Sequence, residues 1–123
     1  MTADGLPEFE DVILAASRVQ DVVRETPILT HDALDDLAGA TVLVKAECLQ
    51  VTGSFKIRGA MNRLAQIPAH QRAAGVVAFS SGNHAQGVAR AARLLSMPAL
   101  IVMPADAPLV KVAGVEADRK SVV

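Results

Sequence analysis

The chain has 123 residues, a net charge of −1, 51% apolar and 20% charged side chains, which suits one modest domain with a core and is too apolar for a disordered segment. No run of like charge offers a footprint for nucleic acid or an anionic membrane surface, so the expected partner is a small molecule. The lone Cys48 cannot form a disulfide within the chain, no leader-like segment opens it, and its longest apolar stretches, such as Pro98 to Ala105, fall far short of a membrane span; the expected location is cytoplasmic.

From Phe9 to Val23 apolar residues recur at Phe9, Val12, Ile13, Ala16, Val19, Val22 and Val23, which is helical spacing, with Asp11, Arg18, Asp21 and Arg24 facing out. Thr26-Pro27 ends this helix, because the residue before a proline disfavours helical backbone. A second, short helix is predicted from His31 to Ala38, stopped by Gly39 where a C-cap favours glycine. Thr41 to Ala46 reads as a strand and Glu47 to Gly53 as a loop. Ser54 is the predicted N-cap of a helix that presents Phe55, Ala60, Met61, Leu64 and Ala65 until Pro68. After Gly75, Val76 to Phe79 is a strand by its β-branched and aromatic content. A polar turn follows, then a helix from about His84 to Leu95, a strand from Ala99 to Met103, and a loop framed by Pro104 and Pro108 that leads towards Lys111. Three phenylalanines with no tyrosine or tryptophan leave the packing to aliphatic side chains and alanine. Strands alternating with helices imply right-handed crossovers, and so the α/β class with a parallel sheet flanked by helices.

Two segments carry candidate chemistry: Ser54-Phe55-Lys56-Ile57-Arg58-Gly59-Ala60 and Ser80-Ser81-Gly82-Asn83-His84-Ala85-Gln86-Gly87. Both sit where a strand is predicted to end and a helix to begin, the usual ligand position of open α/β sheets. A lysine does carbonyl chemistry only when its amine can lose a proton, which needs desolvation, a cationic neighbour or a bound electrophile. Taken singly, Lys56 is a solvated helix lysine; its flanking residues turn the reading towards function. The second segment joins hydroxyls, a glycine and free N–H groups at a helix start, the chemistry of an anion receptor into which a carboxylate fits. A plain helix cap by Ser81 or Asn83 accounts for it equally on local grounds. By spacing, Phe55 is a core residue. Arg58 reads as a surface or inter-domain ion-pair residue, since side chains two apart on a helix diverge. Cys48 reads as a small apolar filler. His84 has no second ligand at metal spacing, His31 and His70 read as surface positions, and no metal site is expected.

Together, Thr52-Gly53-Ser54-Phe55-Lys56-Ile57-Arg58-Gly59-Ala60 and Ser81-Gly82-Asn83-His84-Ala85-Gln86-Gly87 resemble the threonine dehydratase and serine racemase family of pyridoxal-phosphate enzymes. Lys45-Ala46-Glu47, Gln50, Val102 to Pro108 and Lys111 extend the likeness, which runs from about Val12 to Lys111. The resemblance implies the tryptophan synthase β-like fold (PLP fold type II) and pyridoxal 5'-phosphate as cofactor. It implies that Lys56 forms the internal aldimine and, once displaced, shuttles the Cα proton. It further implies that Phe55 packs on the cofactor ring, that Asn83 hydrogen-bonds the ring hydroxyl, and that Ser80, Ser81, Gly82, Asn83 and His84 hold the substrate carboxylate. Ser81 is also a catalytic candidate, because serine racemases carry serine there as a second proton donor whereas many threonine dehydratases carry alanine.

The implied activity is β-elimination of L-threonine or L-serine to a 2-oxo acid and ammonia, with serine racemase-type activity and a non-catalytic remnant as alternatives. Family members are much longer, so the chain reads as their front part, with an incomplete fold. Residues 1–70 are then the N-terminal part of the large cofactor-binding domain and residues 71–123 the truncated start of the small substrate-binding domain. The family's glycine-rich phosphate cradle lies in its second half, and no glycine cluster follows Lys111 here, so weak cofactor binding is expected. Ala113 to Val123 leaves the family pattern and reads as the tail of a truncated or shifted frame. A full-length version is an expected homo-oligomer.

Overall fold

In the computed structural model, which describes residues 5–118 and 120–123, the chain runs α1 (Phe9–Val19), β1 (Ile28–Leu29), α2 (Asp32–Ala38), β2 (Val44–Lys45), α3 (Lys56–Ala65), β3 (Val76–Phe79), α4 (Asn83–Leu94), β4 (Ala99–Val102), α5 (Leu109–Ala117) and β5 (Ser121–Val122). Strands β3, β4 and β5 pair in parallel in that order, Val76 opposite Ala99 and Leu100 opposite Ser121. Parallel neighbours need long crossovers, and α4 and α5 supply them. β1 and β2 form a separate antiparallel ribbon with Ile28 opposite Lys45. Among the described residues no helix is long and apolar enough to cross a membrane.

The core is built where α3 meets α4. Ile57, Ala60, Met61 and Leu64 of α3 face Ala85, Val88, Ala89 and Ala92 of α4, and Met97, Ile101 and Val115 close the cluster beneath them. Alanines dominate the α4 side, so the two helices lie close while each buried Ile or Leu contributes roughly 1.5–3 kcal/mol. This core joins residues on both sides of position 70. In β3, Val76 and Ala78 turn towards the helices whereas Val77 and Phe79 are 72% and 73% exposed on the opposite face.

Several local expectations hold. Gly39 ends α2 in the left-handed conformation at φ 64°, its N–H donating to Asp35 O at 2.8 Å. His31, a surface residue, also caps that helix, its Nδ1 accepting from the Ala33 N–H at 3.2 Å. Others are corrected. α1 stops at Val19, and Val22 and Val23 reach the core from a turn in which both N–H groups bond to Val19 O. The strand expected from Thr41 to Ala46 shrinks to Val44–Lys45, both exposed and outside the parallel sheet, because no layer covers either face. Ser54 does not cap α3. Phe55 occupies that position with helical backbone, and the Ser54 hydroxyl is buried without a partner.

The segment after Lys111 departs most from the sequence reading. Val112 and Val115, one turn apart, pack on the core and extend α5 to Ala117, after which Ser121–Val122 adds a strand to the sheet. Asp118, only 3% exposed, locks this end down. Its Oδ1 accepts from Arg93 Nη1 at 3.2 Å and lies 3.0 Å from Arg90 Nε, which ties the end of α5 to α4. Lys120 Nζ donates to Met97 O at 2.6 Å. Asp118→Ala therefore lowers unfolding free energy in urea by roughly 1–3 kcal/mol, the cost of stranding two cations beside a lost carboxylate, while Asp106→Ala at an exposed site stays within about 0.5 kcal/mol of the parent.

Candidate active site

Glu47 anchors the segment that leads into α3. Arg58 grips both of its carboxylate oxygens, Nε donating to Oε2 at 2.8 Å and Nη2 to Oε1 at 2.7 Å. The Thr26 hydroxyl also donates to Oε1, and Lys45 Nζ lies 3.9 Å from it. The Arg58 hydrogen bond, working against desolvation and helped by Thr26 and by the charges of Arg58 and Lys45, pulls the Glu47 carboxyl down to about 2. The same pair raises Arg58. Gln50, buried, completes the fastening: its Oε1 accepts from the N–H groups of Arg24 and Val51 at 2.8 and 3.0 Å, and its Nε2 donates to Arg24 O at 2.9 Å. Sequence reasoning placed Arg58 in an ion pair without finding its partner. The signal lies in Lys45-Ala46-Glu47, which only a tertiary contact explains.

Lys56 is the first residue of α3 and is half-buried. Among the described residues its Nζ has no hydrogen-bond or ion-pair partner, and it stands 5.0 Å from the centroid of the Phe55 ring. Phe55 is 56% exposed, which corrects its reading as a core residue. It precedes the helix, and so misses the buried stripe of Ile57, Ala60, Met61 and Leu64. Cys48 is likewise exposed rather than a filler. What fixes the Lys56 backbone is Gly87. A Cβ there would sit 3.1 Å from the Lys56 carbonyl carbon and oxygen and 3.3 Å from Ile57 N, so α4 touches the start of α3 main chain to main chain.

One turn earlier on α4 lies the polar turn. Ser80 N–H donates to Val102 O at 3.1 Å, and Ser80 Oγ accepts from Gly82 N–H at 3.2 Å. Gly82 is the N-cap, and no side chain caps the helix, so the cap reading of Ser81 and Asn83 does not hold. Among the described residues the N–H groups of Asn83, His84 and Ala85 have no acceptor. Ser81 is exposed. Asn83 Oδ1 accepts from Lys111 Nζ at 2.6 Å, a contact the sequence did not disclose. His84 turns into a groove of about 290 Å³ lined also by Gly59, Ala60 and Arg63, and Lys56 is not part of that lining. The structure thus brings Lys56, Phe55 and the α4 start onto neighbouring elements and sets His84 apart.

These parts fit pyridoxal 5'-phosphate at its aldehyde and ring. An unpartnered amine suits an aldehyde, an exposed phenyl face suits a planar heteroaromatic, and open N–H groups at a helix start suit a carboxylate. Thr52 Oγ1 and Ser54 Oγ, buried without partners just before Lys56, are hydroxyls that a polar ligand would satisfy.

The depressed Glu47 carboxyl makes part of the stability pH-dependent. Its contribution is complete above about pH 4.5 and is lost as pH falls through about 2. At pH 7 Glu47→Gln is expected to be less stable by roughly 1–3 kcal/mol, and in urea titrations at stepped pH it lacks the parent's loss across that acid window. Gly87→Ala pushes the Lys56 backbone and costs roughly 1–3 kcal/mol, with its largest amide shift changes at Lys56 and Ile57 in nuclear magnetic resonance spectra.

The family described as pyridoxal-phosphate dependent enzyme matches residues 19–122. Over 109 residues the chain is 59% identical to an L-threo-3-hydroxyaspartate ammonia-lyase of a Pseudomonas species, covering 89% of this chain and 34% of that protein. It is 48% identical over 104 residues to an L-threonine ammonia-lyase of Thermotoga maritima, covering 85% and 26%. The solved structure of maize serine racemase overlays with a TM-score of 0.89 at 38% identity, over 94% of this chain and 35% of that one. The chain therefore spans 26% to 35% of the length of these relatives. It shares with them the parallel sheet and flanking helices of PLP fold type II. A match reaching from the end of α1 to β5, on a fold that packs the Lys56 main chain against Gly87 of α4, establishes that this chain belongs to the pyridoxal-phosphate dependent enzyme family.

Proposed function

We propose that the chain carries the reactive amine and the carboxylate-binding turn of an ammonia-lyase acting on small β-hydroxy amino acids, the class of L-threonine, L-serine and 3-hydroxyaspartate. The observation that carries this reading is the seat of Lys56, whose backbone is pressed against Gly87 while its ammonium has no hydrogen-bond or ion-pair partner among the described residues and lies over the Phe55 ring. The identities to L-threo-3-hydroxyaspartate and L-threonine ammonia-lyases support the substrate class.

Pyridoxal 5'-phosphate, when bound, supplies an aldehyde for an amine and a ring that withdraws electrons from the carbon beside that amine. The chain's own residues do the rest. Lys56 Nζ would hold the cofactor through its aldehyde and, when the substrate amine takes that place, would be free to accept the proton from Cα. Phe55 offers its face to the ring, and Asn83 hydrogen-bonds the ring oxygen. The open N–H groups of Asn83, His84 and Ala85, with the hydroxyls of Ser80 and Ser81 and the bare backbone of Gly82, orient the substrate carboxylate. Departure of the β-hydroxyl and hydrolysis of the released enamine give a 2-oxo acid and ammonia. A racemase reading is favoured by the exposed Ser81 hydroxyl, a second proton donor, and by the likeness to maize serine racemase.

Borohydride reduction of the chain with pyridoxal 5'-phosphate, followed by peptide mass mapping, is expected to label Lys56 ahead of Lys45, Lys111 and Lys120; uniform labelling of all four refutes the assignment. In a full-length version, formation of 2-oxo acid from the three substrates falls roughly 10²–10⁴-fold in Lys56→Ala. Chiral analysis of the products from L-serine separates the readings, since D-serine that disappears in Ser81→Ala identifies a racemase.

A further inference from the structure

Lys111 enters from the first turn of α5, and both of its hydrogen bonds end on amide oxygens of α4. Its Nζ donates to Asn83 Oδ1 at 2.6 Å and to Gln86 Oε1 at 3.3 Å. An ammonium has donors only, so it selects the oxygen edge of each amide. Gln86 is held from the other side by Gly114, where a Cβ would run into the Gln86 amide nitrogen. Asn83 keeps a single unused polar edge, its Nδ2 donor, because no other hydrogen bond reaches this side chain among the described residues.

We propose that Lys111 is a positioning residue that locks the Asn83 amide with its nitrogen edge free, so that α4 offers the ligand a donor and never an acceptor. This rests on the reading that Asn83 meets the cofactor's ring oxygen. A fixed donor favours that oxygen as the ionised acceptor and disfavours it as a hydroxyl, which has a proton to place. Without the ammonium the amide rotates, and half of its orientations set Oδ1 against the ring oxygen. Lys111 acts through Asn83 and needs no contact with substrate.

The geometry is tested first without cofactor, from the Asn83 side-chain amide resonances of the chain. Lys111→Met is expected to move this pair to the position of a free amide and Lys111→Arg to restore it; an unmoved pair in Lys111→Met overturns the proposal. The consequence is tested by borohydride trapping of pyridoxal 5'-phosphate on Lys56, with circular dichroism confirming that each variant is folded. Lys111→Met is expected to trap about tenfold more slowly, the loss of one charge-assisted hydrogen bond, Lys111→Arg near the parent rate, and Lys111→Met in an Asn83→Ala background no more slowly than Asn83→Ala alone. Equal Lys56 labelling in the parent and Lys111→Met overturns the positioning role and leaves the Lys56 assignment standing. Absence of Lys56 label from the parent overturns the cofactor reading, and with it the role given to Asn83.

Discussion

Everything at this site depends on two helix backbones being allowed to touch. Gly87 is where α4 meets the carbonyl of Lys56 and the nitrogen of Ile57, and a methyl group on its Cα would fit only if that backbone gave way by a few tenths of an ångström. Along the same contact Ala85, Ala89 and Ala92 keep α4 thin, so that Ile57, Ala60, Met61 and Leu64 bury against it without holding the helices apart. Close packing of this kind fixes position better than a flexible polar contact, because interiors deform little. Lys56, at the first position of α3, is thereby held in register with α4 through its backbone, although the two elements are distant in sequence.

The chemistry on α3 is divided by the helix itself. Lys56 and Arg58 are two residues apart and diverge. Arg58 spends its fork on Glu47 and its remaining reach on Arg24 O, which braces the incoming loop. Lys56 is left with a phenyl ring for company. Had both cations faced the same carboxylate, the lysine would be held as an ion-paired ammonium, without the lone pair that an aldehyde needs. The neighbouring lysine and arginine differ as their chemistry does: the rigid bidentate fork of Arg58 is committed to structure, and the compact amine of Lys56 is left without an ion pair among the described residues.

The sequence made the alternation of β3, α4 and β4 legible, because β-branched runs and an alanine-rich amphipathic stretch are local signals. The lysine and the polar turn stand out in it as residue types at fixed spacing, and the structure puts them at the starts of α3 and α4. What escaped it was tertiary. Phe55 looked like core because its spacing matched α3, yet it stands outside the first turn. Ser54 looked like a cap because serine usually is one, yet its hydroxyl is buried and idle. The pairing of Glu47 with Arg58 and the grip of Lys111 on Asn83 join segments 11 and 28 residues apart, which no periodicity reports. The segment from Ala113 onward, read as a tail that leaves the pattern, becomes helix and strand because Val112 and Val115 find the core and Asp118 finds two arginines.

Among the described residues the sheet ends at β3, whose pairing runs to β4 alone, and the same strand shows Val77 and Phe79 to solvent. An open strand edge beside an oily surface is a template for other chains, and parallel sheets of this kind are built late because their partners are remote in sequence. Wherever that edge stays bare, folding is therefore a race between intramolecular closure and intermolecular stacking.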